Sequence, residues 1–354
     1  MPAVVIDGIV FSLQSHGGIS ESVVRQLFHL AEAPLRLRLL LYPQHQANRP
    51  LQTILEHLRA APTVEIQELG GRPQWERWRP CGADLDGADV FHSTYYRLPR
   101  DPGPAVLTTV HDLLHLRYRR GLRRAALTTL IERAIHRASR LVCVSEQTCR
   151  RVAARYPAAP PAVVLPHAAA AEFRPQPGRP AAPRQCLFVG ERGGYKNFAL
   201  AVEAVARVPQ AHLGIVGGGA LSPAEQRRLQ QRLPGRYQVH GWVDAARLNT
   251  LYNEALALLY LSREEGFGMP VLEAANAGCP AITLHGAVAA EAGAREQWMC
   301  AEDPAAVADC LRDLLAAPAA PRPLHGTRAW ADVARELAAI YADLAAGPEQ
   351  EAAR

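Results

Sequence analysis

Short, near-continuous apolar runs alternate along the chain with stretches whose apolar residues recur every three or four positions. The first run, VVIDGIVF (4–11), is rich in β-branched residues and of strand length. That is the pattern of a strand buried on both faces of a parallel sheet. Gly17-Gly18 follow, and Val23, Val24, Leu27, Phe28 and Leu30 then mark one face of a helix. LRLRLLLY (35–42), DVFHS (89–93), AVLTTVHD (105–112) and RLVCVS (140–145) read as further strands, with a helix expected over 121–139. Strands alternating with helices predict a doubly wound parallel sheet.

At 174–184 the pattern lapses into RPQPGRPAAPR, whose four prolines have the composition of a linker. Beyond it the alternation starts afresh. CLFVG (186–190), HLGIVGG (212–218), YQVHG (237–241), ALALLYLS (255–262) and PAITL (280–284) supply strands. Helices are expected near 197–207, 222–232, 245–254, 271–277 and 304–316. A last helix over 328–345 carries Trp330, Val333, Leu337, Ile340, Tyr341 and Leu344 on one face, and the tail GPEQEAAR lies beyond it. The prediction is an α/β chain of two Rossmann-like domains, 1–174 and 183–327. In such sheets ligands bind beyond the carboxyl ends of the strands, so a shared site is expected in a cleft between the two.

Composition narrows this picture. The chain has 354 residues, 49% of them hydrophobic, enough for two cores. No apolar run approaches the ~18 residues that span a bilayer, and MPAVVIDGIVFSLQ lacks the basic start of a secretory signal. Seven scattered cysteines with no CxxC pair point to a reducing compartment, the cytoplasm, and to no structural zinc. A net charge of +5 is too small to imply nucleic acid. Its origin says more, because Lys196 is the one lysine among 39 basic residues. An ammonium is a compact point charge and a guanidinium a broad planar fork. Lys196 is therefore a candidate for a tight anion pocket.

The sharpest segment for chemistry is Ser262-Arg-Glu-Glu-Gly-Phe-Gly-Met-Pro-Val-Leu-Glu273. A buried strand ends near Ser262 and a helix begins near Pro270, so Phe267, Gly268 and Met269 fall where backbone N–H groups lack helical partners. Those donors and the helix dipole make an anion or hydroxyl site, framed by the carboxylates of Glu265 and Glu273. The second segment, Val189-Gly-Glu-Arg-Gly-Gly-Tyr-Lys-Asn-Phe198, has the strand–glycine-loop–helix layout of a phosphate cradle but neither a dinucleotide fingerprint nor a P-loop. Gly190 opens it, and Arg192 and Lys196 flank the glycines.

E-G-F-G-M-P-V-L-E, together with the Arg and Lys after the strand at 186–190, resembles the signature of retaining glycosyltransferase family 4, which has the GT-B fold. The resemblance runs from Gly17-Gly18 to the final helix. It implies that Glu273 holds the donor ribose, that Glu265 meets the transferred sugar, and that the Phe267–Met269 amides touch sugar and phosphate. Arg192 and Lys196 would neutralise the donor diphosphate, Lys196 being the safer assignment because the Arg-to-Lys spacing varies. V-H-D at 110–112 matches a family motif whose His, here His111, reaches the donor sugar. Gly17 and Gly18 match its first glycine loop. Gly217–Gly219 and His240–Val243 lie where the family holds the base. The last helix would cross back onto the first domain. Ser145 suits ligand contact or, more commonly, a helix cap, and Leu248 and Tyr252 read as core.

The resulting expectation is a hexosyl transfer with retention from GDP-mannose or a UDP-hexose to an acceptor hydroxyl on a lipid-linked or cell-surface saccharide. No cofactor or metal is required, because basic groups already oppose the diphosphate. The alternatives are a non-catalytic nucleotide-sugar-binding subunit of a transferase complex, or an epimerase or phosphorylase on the same fold. The arginines clustered between 117 and 155 run among Leu122, Leu127, Leu130, Ile131 and Ile135. They describe either a solvated helix with a core face or a cationic amphipathic helix on an anionic membrane. The second reading makes the protein peripheral to the inner face of the cell membrane.

Overall fold

The computed structural model describes residues 1–118, 121–178, 180, 183–286, 291–293, 298–317 and 328–347. The chain forms two compact units, Met1–His167 with Arg328–Arg354, and Ala168–Thr327. Each is built on a single parallel sheet.

In the first unit the strands are β1 (Ala3–Asp7), β2 (Arg36–Leu41), β3 (Val64–Glu68), β4 (Val90–Ser93), β5 (Ala105–Val110), β6 (Arg140–Cys143) and β7 (Ala162–Val164), in the spatial order β3-β2-β1-β4-β5-β6-β7. The winding reverses between β1 and β4, where Asp7 lies opposite Ser93. The run 4–11 is not one strand. A Cβ on Gly8 would stand 2.5 Å from the Leu40 carbonyl oxygen, which accepts from the Gly8 amide. The chain breaks there and turns into helix α1 (Val10–Leu13), so Ile9, Val10 and Phe11 are buried from a helix. Helix α2 (Gly18–Leu30) follows. The C-terminal helix Trp330–Ala346 packs against α2, and its Tyr341 hydroxyl lies 2.6 Å from His92 Nδ1 on β4.

The second unit contains β8 (Gln185–Val189), β9 (His212–Val216), β10 (Tyr237–Gly241), β11 (Ala257–Tyr260), β12 (Ala281–Leu284) and β13 (Met299–Cys300), ordered β10-β9-β8-β11-β12-β13. Its reversal lies between β8 and β11. Fully buried Leu213, Ile215, Ala257, Leu259 and Ile282 form the middle of its core.

Three strands have no counterpart in the apolar pattern: β3, β7 and β13. All three are sheet edges with one neighbour each, and none is buried throughout. An edge strand needs no unbroken apolar run.

The proline-rich segment differs from a free linker at its start. Phe173 packs on Tyr252, Arg174 N donates to Asn249 Oδ1 (3.0 Å) and Gln176 N to Asn253 Oδ1 (2.8 Å). These contacts strap it to helix α3 (Ala245–Glu254), so the second unit begins at Ala168 rather than near 183. Residues 179, 181 and 182 of this segment, 318–327 and the tail 348–354 lie outside the described residues.

Candidate functional site

In the second unit the candidate residues gather at the carboxyl ends of β8, β9, β10 and β11. Gly190, Gly217 and Gly241 end the first three strands with φ of 110°, 77° and 67°. That left-handed geometry favours glycine. The Gly190 amide donates to Val216 O (2.9 Å) and the Gly217 amide to Gly241 O (2.7 Å), so the three turns close against one another. Val243 follows, partly buried, just before Asp244, whose carboxylate caps α3 through Arg247 N at 2.8 Å.

Lys196 ends a single 3-10 turn, Gly194–Lys196. The next residue, Asn197, has φ 55° and donates from Nδ2 to Leu261 O at 3.0 Å, while Arg263 N donates to Tyr195 O at 3.0 Å. Two hydrogen bonds thus clamp the glycine loop to the loop after β11. The clamp brings together the two most telling side chains: Lys196 Nζ and Glu265 Oε1 are 2.5 Å apart, with side-chain exposures of 15% and 13%. The ammonium also lies 5.7 Å from the ring centroid of Tyr260, the last residue of β11. Tyr260 is buried, and desolvation together with the Glu265 carboxylate pushes its phenol well above the usual range. A neutral phenol beside Glu265 is a hydrogen-bond donor to it.

Helix α4 (Met269–Asn276) starts at this point, with Gly268 as N-cap at φ 104° and Pro270 in its first turn. A Cβ on Gly268 would lie 3.3 Å from Ala292 Cβ and 3.6 Å from the Tyr260 hydroxyl. The backbone there thus comes close to Tyr260, and Phe267 is buried beneath it. One turn on, Glu273 Oε2 accepts from the Tyr252 hydroxyl at 3.2 Å. Tyr252 is buried as expected, and it also orients the carboxylate. Leu248 differs from the expectation, being only partly buried.

Arg192 is placed differently from a phosphate cation. Its side chain is 3% exposed. Nη1 donates to Gly217 O (2.9 Å), and Nη2 to Gly218 O (2.9 Å), Gly219 O (3.1 Å) and Ala220 O (2.8 Å). Nε pairs with Glu225 at 3.0 Å, and Glu225 completes a capping box with Ser222. Glycines 217–219 all have positive φ, which turns their carbonyls onto the guanidinium. The planar fork thus organises a loop that a lysine could not hold in the same way.

In the first unit, His111 follows β5 and is buried. Its Nε2 lies 2.9 Å from Thr94 O, which can only accept, so the proton sits on Nε2 and Nδ1 carries a lone pair. Burial pulls its pKa down to about 4. His111 is therefore a neutral hydrogen-bonding group. The His111 amide donates to the hydroxyl of Tyr96, a non-glycine residue at φ 66°. Gly17 caps α2 and Gly18 begins it. A Cβ on Gly17 would meet the Gln14 side chain at 2.7 Å, whereas Gly18 faces open space. Ser145 is a cap, accepting from Thr148 N at 3.0 Å. The arginine-bearing helix Gly121–His136 buries Ile131, Ala134 and Ile135 as core and leaves Leu122 90% exposed. Arg119 and Arg120 lie outside the described residues.

Tyr260, Tyr252, Asn197 and Thr94 are absent from the sequence-level candidates. Only Tyr260 carried a signal, as a polar-tipped residue ending an apolar strand beside the Glu265 loop. The chain also has one D-x-D spacing, Asp84-Leu85-Asp86, which the metal-free expectation passes over. In the fold it is a turn: Asp84 Oδ1 accepts from Asp86 N at 3.0 Å and Leu85 is core. Among the described residues, no three His, Cys, Asp or Glu side chains are grouped to hold a metal ion. No described helix is long and apolar enough to cross a membrane.

Residues 16–172 match the family described as Glycosyltransferase Family 4, and residues 183–317 match Glycosyl transferases group 1. No curated protein matches the chain by sequence. Among solved structures, sucrose-phosphate synthase from Thermosynechococcus elongatus is similar over 99% of this chain and 98% of its own, with TM-score 0.67 and 19% identity. Anabaena HepE in complex with UDP and glucose is similar over 99% and 98%, with TM-score 0.68 and 13% identity. WaaG, a glycosyltransferase involved in lipopolysaccharide biosynthesis, gives the same coverage with TM-score 0.59 and 18% identity. At these identities the likeness is one of fold.

Proposed function

The chain belongs to glycosyltransferase family 4, with the GT-B fold, and from that premise we propose that it moves a hexose from a nucleoside-diphosphate sugar to a saccharide hydroxyl, with retention and without a metal ion. One observation carries the reading: the only lysine of the chain sits in a strand-end glycine loop, 2.5 Å from Glu265 and beside the start of α4. This is the constellation a diphosphate sugar requires, a compact cation for the phosphates and a carboxylate for sugar hydroxyls. Complexes of HepE with UDP and with UDP-glucose support a nucleotide-sugar donor by analogy of fold.

In the proposed reaction the diphosphate leaves toward Lys196 and the α4 amides, which act on charge that develops as the glycosidic bond breaks. Glu273, oriented by Tyr252, receives the ribose hydroxyls. His111 accepts a sugar hydroxyl through Nδ1, a role its neutral tautomer permits and a cationic one would not. The two glutamates have different duties and do not form the acid–nucleophile pair of a glycosidase. The acceptor proton passes to the leaving phosphate. Arg192 is assigned no phosphate contact, because its guanidinium holds the 217–220 loop.

The test is a transfer assay with GDP-mannose and a panel of UDP-hexoses, with and without EDTA, and with the product's anomeric configuration read by NMR. Turnover of one donor with retained configuration in chelator is expected. Inversion, or loss in EDTA restored by Mn²⁺, overturns the mechanism. No turnover and no nucleotide binding overturn the function.

A further inference from the structure

The segment RPQWERWR (72–79) takes no part in the site above, yet it is tied over the carboxyl ends of β1 and β4. Its one-turn helix Pro73–Glu76 packs on α1. Glu76 Oε2 accepts from Arg97 Nη2 at 2.7 Å, and Arg97 Nε donates to Arg79 O at 3.0 Å. Arg97 is fully buried, with Nη1 3.9 Å from Asp7 Oδ1 at the end of β1. The Arg77 guanidinium lies 5.3 Å from the ring centroid of Tyr95, two residues past β4, and 4.9 Å from that of Trp78.

This anchoring leaves an unusual surface. Trp75 is 61% exposed and Trp78 41%. The one carboxylate of the segment is committed to Arg97, and Arg72, Arg77 and Arg79 have no ion-pair partner among the described residues. Two water-exposed indoles and three unneutralised guanidinium groups thus stand within eight residues. No exposed aliphatic side chain joins them there, which leaves little of the apolar area on which insertion into a bilayer depends. Indole faces stack on the C–H faces of sugar rings, and guanidinium forks match carboxylate or phosphate oxygens bidentately. The strands beneath, β1 and β4, are those between which the sheet order reverses, the place where open α/β sheets bind ligands.

We propose that Trp75, Trp78, Arg72, Arg77 and Arg79 form a binding surface for an anionic saccharide, its charge carried as a uronate or a phosphate ester. Calling that saccharide the acceptor rests on the transferase reading; the binding itself does not.

The experiment titrates the full-length protein, followed by isothermal titration calorimetry, with a uronate oligosaccharide, a phosphorylated oligosaccharide and a neutral one of equal length. Anionic phospholipid vesicles form a fourth arm, and thermal shift with UDP and GDP runs in parallel. One acidic oligosaccharide should bind at least about tenfold tighter than the neutral one, the lower end for a single charge-assisted contact, and its identity separates uronate from phosphate. The gain should vanish in W75A/W78A and, independently, in R72E/R79E, at exposed positions where folding is checked by an unchanged Tm and nucleotide shift. Equal affinity for acidic and neutral ligands overturns the proposal, as does an unchanged affinity in both variants. Loss of vesicle binding with saccharide binding unaltered assigns the surface to a membrane instead. Patch-dependent saccharide binding in a protein that shows no nucleotide shift supports the surface and sinks the transferase reading alone.

Discussion

Replacing Glu265 by Gln should tighten nucleoside-diphosphate binding while slowing sugar transfer. The Lys196 ammonium is held by Glu265 at 2.5 Å, and both side chains are largely shielded from water. A diphosphate arriving at Lys196 must share that ammonium and settle beside a second negative charge. A hydrogen bond to a charged group nets about 1.5–3 kcal/mol, and the remaining exposure argues for the lower end. Removing the carboxylate's charge should therefore release about 1.5 kcal/mol, or about tenfold in Kd. Calorimetric titration of UDP and GDP into the wild type, E265Q, K196A and the double variant measures this directly. The gain should appear only where Lys196 is present, giving a coupling energy of about the same 1.5 kcal/mol. Transfer should fall because the group proposed to meet the sugar hydroxyls has changed. If E265Q weakens diphosphate binding as K196A does, or improves it equally without Lys196, the competition argument is wrong.

Arg192→Lys should lower the stability of the second unit by roughly 1–3 kcal/mol, since the part-buried Gly217 and Gly218 carbonyls lose their charged donor, and hydrogen exchange over 217–220 should rise; a pure loss of diphosphate affinity at unchanged stability would place the guanidinium on the phosphate after all. Tyr252→Phe should raise the donor KM by about tenfold or less with kcat little changed, because it frees the Glu273 carboxylate without removing it; a kcat effect larger than the KM effect contradicts this. Acidification should unfold the first unit before the second. Burial holds His92 and His167 down at about 3 and His111 and His115 at about 4, so the unfolded chain binds their protons first and stability present above about pH 6.5 is lost as pH falls. Each contributes about 1.4 kcal/mol per pH unit. Asp7, raised to about 6 by desolvation, works in the opposite sense over the same range and cancels about one of the four. A net loss of about 4 kcal/mol per unit is expected between about pH 6 and 5, and a calorimetric Tm for that unit that stays flat there refutes it.

The sheet cores of both units were legible in the sequence because a strand buried on both faces is apolar along most of its length. Leu37–Leu41, Val106–Val110 and Leu187–Val189 left little choice. Three of the four edge strands, β3, β7 and β13, were not, since a strand such as Val64–Glu68 buries too little to leave a pattern. The break after Asp7 was also hidden: a run of apolar residues does not say whether it is buried by a strand or by a helix, and the deciding contact is between Gly8 and a carbonyl in another strand. At the site, Lys196, Glu265 and Glu273 could be picked out because charge in a glycine loop beside buried strands is conspicuous. What Arg192 does was not readable. Its partners are main-chain carbonyls 25–28 residues away, and nothing in a carbonyl distinguishes one residue from another in sequence.

The return of the helix Trp330–Ala346 to the first unit also sets a timetable for biogenesis. The Ala168–Thr327 unit is continuous in sequence and has all its described strands as soon as residue 300 has left the ribosome. The first unit lacks the partner of His92 and the cover for α2 until residue 346 follows. At about 5–20 residues per second, the ~160 residues between His167 and Trp330 take roughly 10–30 s to make. Through that interval the face of α2 that the last helix covers has no cover, so the first unit is completed last although its synthesis begins first.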